Sequence, residues 1–232
     1  MANHRMMSGR YNKPSFTTAL WWNAGMIVDS SVHSFLDDLA SRSPTPGGGS
    51  AAAIMGAMGA ALVSMVCNLT LGKKGYESVE GDMAQTLDQA EALRNRLTGM
   101  VKADVDVFDR VMAAYGLAKD TDDQKSARSA AIQDALKAAT DVPLACARDC
   151  AAVIRLCHIA AEKGNRNVVS DAGVAVAAAH AALKSAALNV HVNTGAIRDG
   201  AFVSARLADL ETIMAGIDED YRSTYDLVQS RL

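Results

Sequence analysis

Along most of this chain apolar side chains recur at three- and four-residue intervals, and nowhere do they alternate with polar ones over the length of a strand. Ser30 or Ser31 is placed to cap a short helix whose apolar positions, Val32, Phe35, Leu36 and Leu39, share one face. A second helix is predicted over about residues 50–71, ending at the basic turn formed by Gly72, Lys73, Lys74 and Gly75. A third and very long one follows over about 77–117, until the polar run KDTDDQ at 119–124 breaks it. A fourth is expected over 124–140. Pro143 then fits the first turn of a fifth, where a missing N–H does no harm, and that helix ends at residues 164–167. Two more are expected: one over 170–192 and, after Asn193, Thr194 and Gly195, a charge-rich helix running to the C-terminus. The prediction is an all-α bundle of long up-and-down helices with no sheet.

The totals change this picture little. A chain of 232 residues, 50% hydrophobic and 21% charged, suits one sizeable soluble domain, here residues 30–232. The first 29 residues read differently: no acidic residue precedes Asp29, and Leu20, Trp21 and Trp22 cluster without a signal-peptide cleavage pattern. They are expected to be a flexible extension or the product of an upstream start codon, with Met26 just ahead of the patterned region. A net charge of −3 with dispersed Lys and Arg leaves no footprint for nucleic acid and no polybasic patch for lipid. Residues 50–72 carry no charge and 172–197 only Lys184, long enough to span a membrane. Their Ala, Gly, Ser and Asn content makes transfer into lipid weak, so no membrane is expected. Gly56, Gly59 and Ala60 let helices approach closely, in a core or at a subunit interface alike. Cys146, Cys150 and Cys157 share one helical face, and with Cys67 they read as buried reduced thiols of a cytoplasmic protein. Neither a CxxC pair nor HExxH is present, so no metal site is expected.

Candidate chemistry begins at SRSPTPGGGS, residues 41–50. Pro44 and Pro46 stop a helix from running through, Gly47, Gly48 and Gly49 permit close backbone approach, and Ser50 is placed to cap the helix that follows. This is either a shaped loop offering helix N-terminal N–H groups to an anion or polar acceptor, or a sharp connection that needs glycine for packing. No Gly-Lys-Ser/Thr follows, so it is no P-loop. Asp104 is more specific. At 100° per residue it falls in the middle of an apolar arc of Leu93, Leu97, Met100, Phe108, Val111 and Tyr115, while Lys102, Asp106, Asp109 and Arg110 project elsewhere. A carboxyl in such a stripe must be paired or protonated, and desolvation raises its pKa toward the range of proton transfer. Asp171 can serve a site or merely complement a helix dipole. Lys73 and Lys74 can grip a carboxylate or solvate a helix end. His4, His33, His158, His180 and His191 pair with no evident nucleophile.

The stretches FLDDLASRSPTPGGGSAAA, GKKGYE, VKADVDVF, DVPLACA and NVVSDAGVA resemble, in order and spacing, the formiminotransferase-cyclodeaminase family, over about residues 32–210. The resemblance implies an all-helical homodimer that binds a reduced folate without metal or resident cofactor, the tetrahydrofolate derivative being the substrate. It also implies an acid/base carboxylate at Asp104, and a pocket bordered by Ser43, Pro46, Gly47, Gly48, Gly49, Ser50, Lys73, Lys74 and Asp171. The implied reaction is hydrolysis of 5,10-methenyltetrahydrofolate to 10-formyltetrahydrofolate. The alternatives are formiminotetrahydrofolate cyclodeamination, which expels ammonia, and a non-catalytic bundle that binds folate or a partner helix. With no transferase domain ahead of it, the chain is expected to be the free-standing cyclohydrolase; a bare scaffold gains nothing from Asp104.

Overall fold

A computed structural model describes residues 30–232, so the expectation of an N-terminal extension over 1–29 lies outside the described residues. Helix α1, Val32–Leu39, opens as predicted: the Ser31 side chain accepts from the Ser34 N–H at 3.1 Å. The long helices are α2, Gly48–Asn68, α3, Glu80–Tyr115, α4, Asp122–Lys163, and α5, Val169–Thr194. Two shorter ones close the chain, α6, Gly200–Met214, and α7, Ile217–Arg231. No strand occurs among the described residues, and the all-α prediction holds.

Three boundaries differ from the sequence reading, each for a local reason. Helix α2 starts at Gly48 with Gly47 as its N-cap, so Ser50 lies inside the first turn and caps nothing. The expected fourth and fifth helices are one, α4, with Pro143 in its interior. Proline there removes the N–H that would bond the carbonyl four residues back. The Asn193 side chain of α5 makes good the loss, its Nδ2 donating to Ala139 O at 2.8 Å. The charge-rich C-terminal helix is two, because Gly216 adopts φ 76° and turns the chain between α6 and α7.

Helices α2, α3, α4 and α5 pack side by side around a core that includes Val63, Leu97, Val101, Ile154, Val176, Leu183 and Val190. On α3 the buried stripe is Met83, Ala90, Leu93, Leu97, Val101 and Val105, so Phe108 and Val111 are only half-buried and Tyr115 is exposed. Over a helix this long the core-facing line drifts, and the expected arc follows it only to Leu97. Helices α2 and α5 run antiparallel: a Cβ on Gly48 would sit beside Asn189, and one on Gly59 would lie 3.0 Å from Ala175 O and 3.3 Å from Ala179 Cβ. Gly56 makes room for Cys150 and Leu97 in the same way. These small residues therefore serve the protomer's own core.

Helix α7 rests on α4 and α5. Asp218 accepts from Lys184 and pairs with His180, whose ring stacks on Tyr221 at 4.5 Å. The bonds from His180 and then Lys184 draw the Asp218 carboxyl down to about 2. By length and composition α2 and residues 166–194 could each cross a bilayer, yet half or more of their apolar windows is buried inside the bundle. All four cysteines are buried and free.

Candidate active site

The loop before α2 is held by its own contacts. Ser43 Oγ donates to Thr45 O at 2.6 Å, Pro46 is buried after a cis Thr45–Pro46 peptide, and Gly47 ends the extended segment. The first turn of α2 then comes up against the side of α3 at Asp104. Ser50 Oγ donates to Asp104 Oδ2 at 2.8 Å, and the Ser50 amide is directed at the same carboxyl. Gly49 is the residue that lets this happen: a Cβ there would lie 2.1 Å from Asp104 Oδ1 and 2.5 Å from its carboxyl carbon. Of the three glycines, Gly49 is thus the one set by close approach. At Gly48 a Cβ would meet only Asn189, at an ordinary 3.8 Å.

Around the carboxyl the walls are apolar. Gly49, Ala52, Ala53, Met100, Val142, Pro143, Cys146 and Ala186 line a recess of about 10 Å³ beside Asp104. Burial pushes the Asp104 carboxyl above the ordinary aspartate range, while the Ser50 hydroxyl, then the Ser50 amide, pull it back. The result is a carboxyl whose proton is held more tightly than usual but whose ionised form still has donors. Such a group can take a proton from water and return it to a leaving nitrogen.

The other sequence-predicted residues are elsewhere. Asp171 is in the first turn of α5, and Lys73 and Lys74 are exposed on the turn after α2. Both places lie at the far end of α2, about 30 Å from Gly48 at 1.5 Å per residue. That turn is rigidly built: Gly72 and Gly75 take φ 69° and 90°, and their N–H groups donate to Glu80 and Glu77. Behind it, Asn165 donates to Thr70 Oγ1 and Leu69 O. One chain therefore brings together Asp104, Ser50 and Gly49; Ser43, Pro46, Gly47 and Gly48 lead into them along the chain without lining the recess, and Lys73, Lys74 and Asp171 lie elsewhere. The reading from sequence also missed Pro143, Cys146 and Ala186 as walls and Asn193 as their support. A proline in an otherwise uninterrupted helical pattern was the available signal for the first and last of these.

A helical bundle with a half-buried, serine-bonded carboxyl beside the N-terminus of an uncharged helix is the arrangement that the comparisons with known proteins have to account for. The chain belongs to the formiminotransferase-cyclodeaminase family, whose model matches residues 31–212. It is 58% identical over 207 residues, 89% of its own length and all of the relative's, to a methenyltetrahydrofolate cyclohydrolase of Methylorubrum extorquens. It is also 36% identical to a formimidoyltransferase-cyclodeaminase of Sus scrofa, over 76% of this chain and 32% of that protein. Among solved structures it is similar to the formiminotetrahydrofolate cyclodeaminase of Thermotoga maritima, with a TM-score of 0.78 and 34% identity, covering 87% of this chain and 96% of that one.

Proposed function

We propose that this protein hydrolyses 5,10-methenyltetrahydrofolate to 10-formyltetrahydrofolate, with Asp104 as general base and then general acid. The 58% identity with the Methylorubrum cyclohydrolase over that relative's whole length supports the substrate. The observation that carries the mechanism is the Asp104 carboxyl, bonded to Ser50 at 2.8 Å in an apolar recess with its pKa raised. Water adds to the amidinium carbon that bridges N5 and N10, and Asp104 takes one of its protons. The neutral adduct then collapses: the carbon–N5 bond breaks, Asp104 protonates N5, the hydroxyl loses its proton to solvent, and the formyl group stays on N10. A carboxylate also favours the cationic substrate before addition. No resident metal or cofactor is part of this proposal, whose steps are an addition, a carbon–nitrogen cleavage and proton transfers.

Cyclodeamination is the second reading, supported by the likeness to the Thermotoga cyclodeaminase. Because this chain covers 96% of that cyclodeaminase, the extent of the match does not separate the two activities. A homodimer in the cytoplasm belongs to the same proposal: an exposed apolar face on α2 and α5 supports the first, four free cysteines the second.

The test is a side-by-side assay of the purified protein on methenyltetrahydrofolate, followed by loss of the methenyl absorbance, and on formiminotetrahydrofolate, followed by ammonia release. Methenyl hydrolysis should dominate, and Asp104→Asn should lose at least about 10²-fold in kcat. Dominant ammonia release would assign the protein to the second reading, and near-full turnover by Asp104→Asn would remove Asp104 from the mechanism.

A further inference from the structure

The four-helix core is shorter than α3 and α4. Helix α2 begins against Asp104, at Gly49 and Ser50, and α5 ends beside Ala139, where Asn193 bonds. Residues 105–115 of α3 and 122–138 of α4 therefore run on past both ends as a two-helix arm, about 16 Å long on the α3 side. A small second core holds the arm down: Ile197, from the loop after α5, packs with Val111 against Ala114, Ile132, Ala135 and Leu136. From Asp104 a strip continues along α3 through Phe108, Val111 and Tyr115, all within about 60° at 100° per residue. Phe108 and Val111 are half-buried and Tyr115 is 44% exposed, so the strip has an open edge.

The strip ends at a pocket of about 230 Å³ whose walls include Tyr115, Arg128, Ser129, Gln133 and Arg198. Arg128 donates to Tyr115 O from Nη2 at 3.0 Å and from Nε at 3.2 Å, and Arg198 Nη1 donates to Ser129 Oγ at 2.9 Å. Both acceptors are neutral. No carboxylate lines the pocket, and Asp199, next to Arg198 in the chain, accepts from Lys137 at 2.8 Å and from the Phe202 N–H at 3.0 Å. Gln133 fixes the loop from both sides, its Nε2 donating to Ala196 O and its Oε1 accepting from the Arg198 N–H at 2.7 Å. A guanidinium has five N–H donors in a rigid fork, and these bonds use only some of them on each arginine. Two guanidiniums positioned by neutral partners, with donors to spare and no carboxylate between them, form a receptor for carboxylate or phosphate oxygens.

Resting on the folate reading above, we propose that this pocket is the subsite for the carboxylates of the substrate's glutamyl tail. A recess of about 10 Å³ beside Asp104 admits one water and no ring, so the folate lies along the surface outside it. With the methenyl carbon at Asp104, the aminobenzoyl ring follows Phe108 and Val111, and the tail reaches Arg128 and Arg198. The lengths agree. A para-aminobenzoyl-glutamate unit extends on the order of 12 Å from N10 at ordinary bond lengths, and the strip from Asp104 to Tyr115 is about 16 Å long before the reach of an arginine side chain is subtracted. Further γ-linked glutamates continue past the arginines to the open tip of the arm. Phosphate offers the same oxygen chemistry from another source, and the tail is preferred because the strip joins this pocket to the acid/base carboxyl.

Steady-state kinetics on two substrates test it: methenyltetrahydrofolate carrying three glutamates, and methenyltetrahydropteroate, which carries none. Arg128→Gln/Arg198→Gln should raise KM for the first at least about tenfold with kcat within about twofold of wild type. The wild-type preference for the first over the second, as a ratio of kcat/KM, should shrink by the same factor, and Arg198→Lys, which keeps the charge, should lose less than Arg198→Gln. Arg128 also bonds the end of α3, so if the double variant melts early, Arg198→Gln alone carries the comparison. An equal rise in KM on both substrates would mean that the arginines only support the arm, and an unchanged KM on the triglutamate would put the tail elsewhere; either result overturns the proposal. A second arm does not depend on turnover: para-aminobenzoyl-triglutamate, titrated calorimetrically, should bind wild type and not the arginine variant. Displacement of that fragment by an equal concentration of inorganic phosphate would make this a general anion pocket and overturn the tail assignment. A wild-type protein inert on methenyltetrahydrofolate that still binds the fragment through Arg198 would overturn the reaction reading and leave the subsite standing.

Discussion

Asp104 and Gly49 meet at a distance that leaves no room for a side chain between them. A methyl group on Gly49 would stand 2.1 Å from Asp104 Oδ1, and its neighbours there are the carboxyl itself, which must swing away from Ser50 to admit it. Gly49→Ala is therefore expected to cut kcat by at least about tenfold, through a misplaced acid/base group. Gly48→Ala, facing Asn189 at 3.8 Å, should leave kcat within about twofold of wild type. Comparing the two kcat values checks this directly, and equal losses would mean that the glycines act only through the loop's backbone. The raised pKa of Asp104 has a consequence for stability as well. A carboxyl that holds its proton more tightly folded than unfolded contributes stability at low pH and loses it as pH rises through the folded pKa. At neutral pH the ionised group is thus a cost, and Asp104→Asn should melt higher than wild type at pH 7. The difference should shrink toward pH 4, as thermal melts across that range would show.

At the scale of the element, α4 survives a proline by borrowing a donor from α5. Ala139 O is free because Pro143 has no N–H, and Asn193 Nδ2 reaches it at 2.8 Å. Pro143 lines the recess beside Asp104, so this bond ties the wall of the site to the C-terminal turns of α5. Asn193→Ala leaves a carbonyl unpaired where helices meet and should cost about 1–3 kcal/mol. With Pro143→Ala in the same chain the backbone N–H returns and bonds Ala139 O, so the Asn193→Ala penalty should fall below about half of that. A double-mutant cycle by denaturant unfolding measures the coupling. Additive penalties would mean that Asn193 and Pro143 are independent.

On the scale of the whole molecule, the four long helices satisfy one another on their inner faces and leave one outer face apolar. Leu188 is 67% exposed and Val192 74%, on the same helix that buries Ala179, Leu183 and Val190. A protein that left this layer in water would carry an unusually large apolar patch. Leu188→Glu places a charge in it without touching the core. It is expected to turn a dimer sedimenting at twice 24.4 kDa into a monomer, and to lower activity with it. A wild-type protein that already sediments as a monomer would refute the dimer, and Leu188→Glu would then change nothing.

The sequence by itself determined most of the elements and singled out Asp104. Helical periodicity, the polar break before Thr121 and the turns at Gly72–Gly75 and Gly164 are local signals, and each stands where the chain put it. Asp104 was legible because one carboxyl among apolar positions is a contradiction that only pairing or function resolves. What tertiary structure decided is whatever depends on a second segment. Pro143 is tolerated inside α4 only because Asn193 arrives from another helix, so the break expected there did not occur. Ser50, an ordinary cap by local rules, turns its hydroxyl to Asp104 because α3 passes within reach, and Gly49 rather than Gly48 proves the constrained glycine for the same reason. That Asp104 sits at the Gly48 end of α2, about 30 Å of helix away from the Lys73 turn, is likewise invisible in a list of motifs, since which end of α2 the middle of α3 reaches is set by packing. That separation follows from α2 being straight and uninterrupted, and from α5 running back antiparallel to it through the close contact at Gly59.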